Sequence, residues 1–180
     1  MKLKLMILGY ARHGKDTVAE ILREHHKLNI VSSSLAAAER VMVPYFKGIG
    51  INYASLEECY ADRVNHRSEW FDQIRAFNTP DLARLAREIY SENDVYIGIR
   101  NAEEFQAARK EGLFQYSIWV DRSKHAPAEP RSSNTMDPSM ADYIIDNNGT
   151  IEQLKIRTLS LYWDLVSLEH AGALRGENKQ

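Results

Sequence analysis

The sequence predicts an α/β fold in three layers: a parallel five-stranded sheet with helices on both faces. Three observations predict it. Short apolar runs recur at 3–8, 28–31, 95–99, 116–120 and 143–145. Segments with helical spacing lie between them. The runs are apolar throughout rather than alternating, as strands are when both faces of their sheet are covered. Strands that alternate with helices in this way form parallel sheets.

Each element has its own signal. Residues 3–8 end at Gly9, and a short apolar run bounded by glycine reads as a buried strand. A helix follows from Thr17 to His26, with Val18, Ile21 and Leu22 at helical spacing. After the second strand, 36–46 reads as helix until Pro44 disturbs it, and 47–52 as a loop. Ser55 and Glu58 have capping-box spacing and open a charge-rich helix expected to run to Phe77. Thr79, Pro80 and Asp81 punctuate, and Leu82, Leu85, Ala86 and Ile89 give an apolar helical face. Asn101 is placed to cap a helix over 102–110. Residues 121–140 are polar and hold Pro127, Pro130 and Pro138, so a loop or mobile flap is expected. Asn147, Asn148 and Gly149 form a turn, and a closing helix runs from Ile151 to about Leu168, with a frayed tail from Gly172. Trp119 and Trp163 read as core, and Tyr60, Trp70 and Phe71 as core rather than base-stacking residues.

Composition narrows the function. With 180 residues, 44% hydrophobic and 27% charged, the chain is expected to be a single domain, 1–180, with a sizeable core. Cys59 is the sole cysteine, which excludes an intramolecular disulfide and a cysteine-based zinc site and suits the cytoplasm. No apolar run approaches the roughly 18 residues of a membrane span, and no cleavage site follows the apolar start, so no membrane partner is expected. The net charge of −2 argues against a broad nucleic-acid footprint.

One motif carries chemistry. Gly9-Tyr10-Ala11-Arg12-His13-Gly14-Lys15-Asp16-Thr17 has the frame G-x-x-x-x-G-K directly after a strand and before a helix. Glycines let several backbone N–H groups turn inward toward an anion, and the helix N-terminus adds its positive end. Lys15 supplies a charge for β- and γ-phosphates. The fold is therefore expected to be the P-loop NTPase type, with ATP bound by Gly9, Arg12, His13, Gly14, Lys15, Asp16 and Thr17. Asp16 stands where a serine or threonine usually ligates magnesium; a carboxylate oxygen also suits that hard cation, so Asp16 is the expected Mg2+ ligand.

GYARHGKDT followed by VAEIL resembles the P-loop of phage deoxynucleoside monophosphate kinases, which are related to dephospho-coenzyme A kinases and whose loops also read G-K-D. ADYIIDNNGT at 141–150 is similar to their last strand and turn, and IRNAEEFQAARKEG at 99–112 to the segment after their central strand. The resemblance implies transfer of the ATP γ-phosphoryl group, in the host cytoplasm if the chain is phage-encoded. It also implies a lid over about 121–140 whose arginines, Arg122 and Arg131, act on the transferring phosphate. Asn147 and Asn148 would meet the donor adenine. The helices over about 50–92 would be an inserted acceptor-binding cap.

Position in the sheet adds further candidates. Arg100 lies past the third strand and Ser32, Ser33 and Ser34 at the end of the second, where parallel sheets bind ligands. A guanidinium at Arg100 can grip phosphate bidentately, and the resemblance implies the same contact. Arg63 and Arg67, four apart on the expected long helix, would share a face, with Asp62 and His66 on the adjacent one. That wall, with Arg75 nearby, is a candidate acceptor site. The third strand ends Gly98-Ile99-Arg100 without the acidic residue common there, and Asp94 lies at its other end. Two acceptors fit: a deoxynucleoside 5′-monophosphate, as a small-molecule partner of a monomer or homodimer, or 5-hydroxymethyl-deoxyuridine in DNA, the one reading in which nucleic acid is a partner. A regulatory P-loop module is the reading of another class, disfavoured by the lid and by the lack of an N-K-x-D guanine signal.

Overall fold

The computed structural model describes residues 2–177. Its strands are β1 (Leu5–Leu8), β2 (Ile30–Ser32), β3 (Val95–Ile97), β4 (Tyr116–Asp121) and β5 (Tyr143–Asp146). They form one sheet in the order β2-β3-β1-β4-β5, and every adjacent pair is parallel. Helices α1 (Lys15–His26) and α8 (Ile151–Glu177) cover one face. The other is covered by α2 (Ser33–Ala37), α3 (Val43–Gly48), α4 (Leu56–Asp62), α5 (Arg67–Phe77), α6 (Arg84–Glu92) and α7 (Ala102–Lys110).

The all-apolar strands are explained by this sandwiching. In β1, Leu5 and Ile7 pack with Val18, Leu22 and Leu165, while Met6 and Leu8 pack with Ala37, Met42, Phe105 and Trp119. Each fully buried side chain of this size contributes about 1.5–3 kcal/mol, so a strand apolar on both faces anchors both layers. A polar residue on either face of β1 would have no water and no partner.

The helices between β2 and β3 depart from expectation in two places. Pro44 does not end a helix. A π-helical turn, Ala38–Met42, joins α2 to α3, and Pro44 sits in the first turn of α3, where its missing N–H is tolerated. The expected long helix from Ser55 to Phe77 is two helices, with a turn at 63–66. Asn65 causes the break: its backbone N–H donates to the Asp62 carbonyl (3.0 Å) and its side-chain amide to Asp62 Oδ1 (2.6 Å). Asn and Asp offer the backbone this alternative to helix. At the start of α4, Ser55 Oγ accepts from the Glu58 N–H, and the Glu58 carboxylate accepts from the Ala54 N–H.

Three smaller differences concern packing. α8 continues through Gly172 to Glu177, where a frayed tail was expected; residues 178–180 of that tail lie outside those described. Leu154, Thr158, Tyr162 and Leu165 form its buried stripe, which leaves Trp163 58% exposed rather than in the core. Phe71 likewise faces solvent while Trp70 is buried. Among the described residues, no helix is long and apolar enough to cross a membrane.

Candidate active site

Because all five strands are parallel, their carboxyl ends share one edge of the sheet. The chain winds from β1 toward β3 and β2 on one side and toward β4 and β5 on the other. The edge above β1 is thus the crevice in which α/β sheets bind ligands, and residues 9–17 fill it.

The loop's shape depends on left-handed backbone at Gly9 (φ 142°), Arg12 (φ 62°) and Gly14 (φ 93°). Glycine is also required by contact: a Cβ on Gly9 would lie 2.8 Å from the Val120 carbonyl, and one on Gly14 would collide with the Asn147 side chain. Lys15 begins α1 and its Nζ donates to the Tyr10 carbonyl at 2.8 Å, closing the loop on itself. Its stem lies beside Gly98 at the exit of β3. Burial pushes the Lys15 ammonium below its ordinary value; Asp16 and Glu129 draw it back up, and Arg100 opposes them. Lys15, Asp16, Glu129 and Arg100 therefore share one electrostatic site. Asp16 is exposed in the first turn of α1, where a hard cation could reach its carboxylate. Among the described residues no group of three His, Cys, Asp or Glu side chains could hold a metal by itself.

Residues 122–137 are not a loose flap; the polar stretch is tied down along its length. His13 is buried, and its Nδ1 accepts from the Arg122 N–H (3.1 Å) while its Nε2 lies 3.1 Å from the Ala126 carbonyl. Nδ1 accepts, so Nε2 carries the proton and donates. The Lys124 N–H donates to Asn148 Oδ1, and the His125 ring meets the Asn148 carbonyl. The Ala11 N–H donates to Glu129 Oε2 at 2.8 Å, and Asn134 Nδ2 donates to the same oxygen at 3.1 Å. Glu129 Oε1 faces Arg100 Nη1 at 3.3 Å. The Thr135 N–H donates to the Arg100 carbonyl, and Met136 is buried in the core. The segment crosses the 9–17 loop and lands on the exit of β3.

Three residues expected to meet the nucleotide also make internal contacts. The His13 ring is enclosed between loop and lid. Asn147 is buried: its backbone N–H donates to the Asp121 carbonyl (2.7 Å) and its Nδ2 to the His13 carbonyl (2.9 Å), so it props the loop from beneath. Asn148 Nδ2 bridges Asp121 and Asp146, knitting the exits of β4 and β5. Turn asparagines with such partners hold backbone together.

Among the arginines, Arg100 reaches the site and Arg122 stands at its margin, where its backbone binds His13. Arg131 is exposed near Asp137. On the acceptor side, Ser32 Oγ caps α2 by accepting from the Leu35 N–H, Ser33 Oγ accepts from the Tyr96 hydroxyl, and Ser34 Oγ pairs with the Tyr60 hydroxyl. The break between α4 and α5 removes the shared face expected of Arg63 and Arg67. Arg63 folds onto the Tyr60 ring, with its guanidinium carbon 3.9 Å from the ring centre, while Arg67 is exposed at the start of α5. His66 is held between Asp62 (3.2 Å) and Glu69 (3.6 Å).

Glu129 is the member of the site that sequence reasoning missed. The available signal was a single acid inside Pro127-Ala128-Glu129-Pro130, where two prolines stiffen the backbone around it.

No protein-family model matches this sequence, and no curated protein does. Solved structures do resemble it. A gluconokinase from Sinorhizobium meliloti 1021 superposes with TM-score 0.53 at 12% identity, covering 95% of this chain and 97% of that one. A shikimate kinase from Bacteroides thetaiotaomicron gives 0.52 at 11%, covering 92% and 99%. TT1252 from Thermus thermophilus gives 0.52 at 19%, covering 91% and 97%. The chain has the three-layer α/β fold that these proteins share, over nearly its whole length.

Proposed function

We propose that this protein is a kinase that transfers the ATP γ-phosphoryl group to a deoxynucleotide acceptor. The observation that carries the reading is the phosphate loop at the crevice above β1, with Lys15 in the same electrostatic site as Arg100 and a lid laid across both. Phosphoryl transfer needs little covalent chemistry from the protein. Placement and neutralisation of phosphate charge carry it. Backbone N–H groups of Gly14 and Lys15 at the start of α1 would cradle the phosphates, Lys15 would neutralise the β- and γ-oxygens, and Arg100 would face the transferred group. Magnesium, held through Asp16 and the nucleotide's own oxygens, would supply further neutralisation. Closed over bound nucleotide, the 121–140 segment would limit the access of water. The kinases among the structural neighbours support the reaction class, and the local likeness to phage deoxynucleoside monophosphate kinases supports the deoxynucleotide.

Two acceptors of this class are considered. One is the 5′-phosphate of a monophosphate, which the sequence resemblance favours. The other is a hydroxyl on a modified base in DNA, such as 5-hydroxymethyl-deoxyuridine, and Glu129 favours it for the reason developed below. Incubating the protein with ATP labelled at the γ-phosphorus, each deoxynucleoside monophosphate, and duplex DNA with and without 5-hydroxymethyluracil tests the reading. Label should pass to one of these acceptors; label released only to water, with every acceptor present, would contradict it.

A further inference from the structure

We propose that Glu129 takes the proton of the acceptor, and that the acceptor oxygen is therefore a neutral hydroxyl rather than a phosphate. The proposal rests on the kinase reading and chooses between its two acceptors. Glu129 is not a surface acid. Its side chain is 14% exposed and is fixed by the Ala11 N–H and Asn134 at one oxygen and by Arg100 at the other. The Ala11 N–H belongs to the phosphate loop, so the carboxylate stands at the phosphate bed itself.

Glu129 is set apart from the other carboxylates by bonding the 9–17 loop and Arg100 at once, not by being free. Glu104 on α7, its carboxyl pushed up by burial, is bonded toward Asn78. Asp121 accepts from Ser123 and Asn148. Asp62 accepts from Tyr53 and Asn65. Asp94 lies at the opposite end of β3, bound to the Asn29 N–H. Asp16 is on α1, on the side assigned to the cation. The exit of β3 carries no acid of its own. Glu129 fills that role from the lid, 29 positions further along the chain than Arg100.

Electrostatics separates the acceptors. A phosphate monoester would bring up to two negative charges beside a carboxylate and a γ-phosphate, and like charges in a partly desolvated site repel strongly. Its attacking oxygen is already deprotonated and has no proton to give. A neutral hydroxyl meets no such repulsion and must lose a proton. As its oxygen bonds to the γ-phosphorus, the bond from that phosphorus to the bridging oxygen breaks and the electron pair leaves with ADP. The hydroxyl proton passes to the Glu129 carboxylate and from there to solvent. Arg100 holds the carboxylate in place while this happens, as a paired cation orients a base.

Glu129→Gln removes the basic carboxylate and, with it, the ion pair to Arg100. The glutamine carbonyl can still accept from Ala11 and Asn134, so the lid stays anchored. Two readouts apply: transfer to hydroxymethyluracil-containing duplex DNA, and slow hydrolysis of ATP, in which water is the smallest neutral acceptor. Both should fall about 100-fold, the usual scale for removing a positioned base, while Glu129→Asp recovers part of the rate. Unchanged hydrolysis in Glu129→Gln would overturn the proposal. So would efficient wild-type transfer to a deoxynucleoside monophosphate that Glu129→Gln retains. Failure of the wild-type protein to bind ATP would overturn the kinase reading, and this proposal with it.

Discussion

Asp16 shows how a single departure from a motif becomes a testable statement. It replaces a hydroxyl ligand with a carboxylate, it is exposed at the start of α1, and the end of β3 offers no acid to share a cation. Asp16→Asn should therefore raise the magnesium concentration needed for half-maximal ATP turnover, because a neutral amide is a poorer ligand for a hard cation. A magnesium titration identical to wild type would restrict Asp16 to favouring the helix terminus. Asn147 makes the opposite point. Its amide lies beneath Gly14 and bonds the His13 carbonyl, so Asn147→Ala strips a buried carbonyl of its donor. The expected loss is about 1–3 kcal/mol, read as a lower denaturant midpoint. The loop was legible from its residues because its meaning is local: glycine, lysine and helix start are consecutive. The jobs of His13, Asn147 and Glu129 were not, because each is fixed by a partner more than a hundred positions away.

Elements were legible where one local cause sufficed. Asn101 was expected to cap α7, and its side chain accepts from the Glu103 and Glu104 N–H groups. The helix break after α4 was not legible, because the helical pattern on both sides reads continuously, while the Asn65 N–H turns back to the Asp62 carbonyl and its side chain to the Asp62 carboxylate. Asp142 joins three elements and sets an acid limit. It accepts from the Ser117 N–H and hydroxyl on β4 and pairs with Arg109 on α7 at 2.9 Å, next to β5. Burial pushes its carboxyl up, but the Ser117 hydrogen bonds and the Arg109 guanidinium outweigh burial and hold it below the ordinary value. A depressed carboxylate contributes stability above its unfolded value of about 4, and that contribution is lost as pH falls through the lower folded value. The thermal midpoint should therefore decline below about pH 4 in wild type, and Asp142→Asn should flatten that limb. An identical acid limb in both proteins would show that the cluster does not link folding to pH.

At the scale of the molecule, the alternation of apolar runs with helical segments was enough for a three-layer parallel sheet. The strand order was not available from those runs, since no local residue states which strand lies beside which. The order matters because it puts β1 at the centre, with Arg100 arriving from β3 on one side and the lid from β4 on the other. The lid looked mobile because prolines and polar residues describe its backbone and not its contacts. Glu129, Thr135 and Met136 pin it to the loop, to Arg100 and to the core. These features converge on one claim, that the crevice above β1 transfers a phosphoryl group and that Lys15 is needed for the transfer. The direct measurement is passage of γ-labelled phosphate from ATP to acceptor, in wild type and in Lys15→Ala, with circular dichroism recorded on both. Loss of a charge contact at the transferring phosphate typically costs on the order of 10²–10³ in rate, so Lys15→Ala should fall by at least that while keeping its fold. A Lys15→Ala protein that transfers label at the wild-type rate would contradict the account.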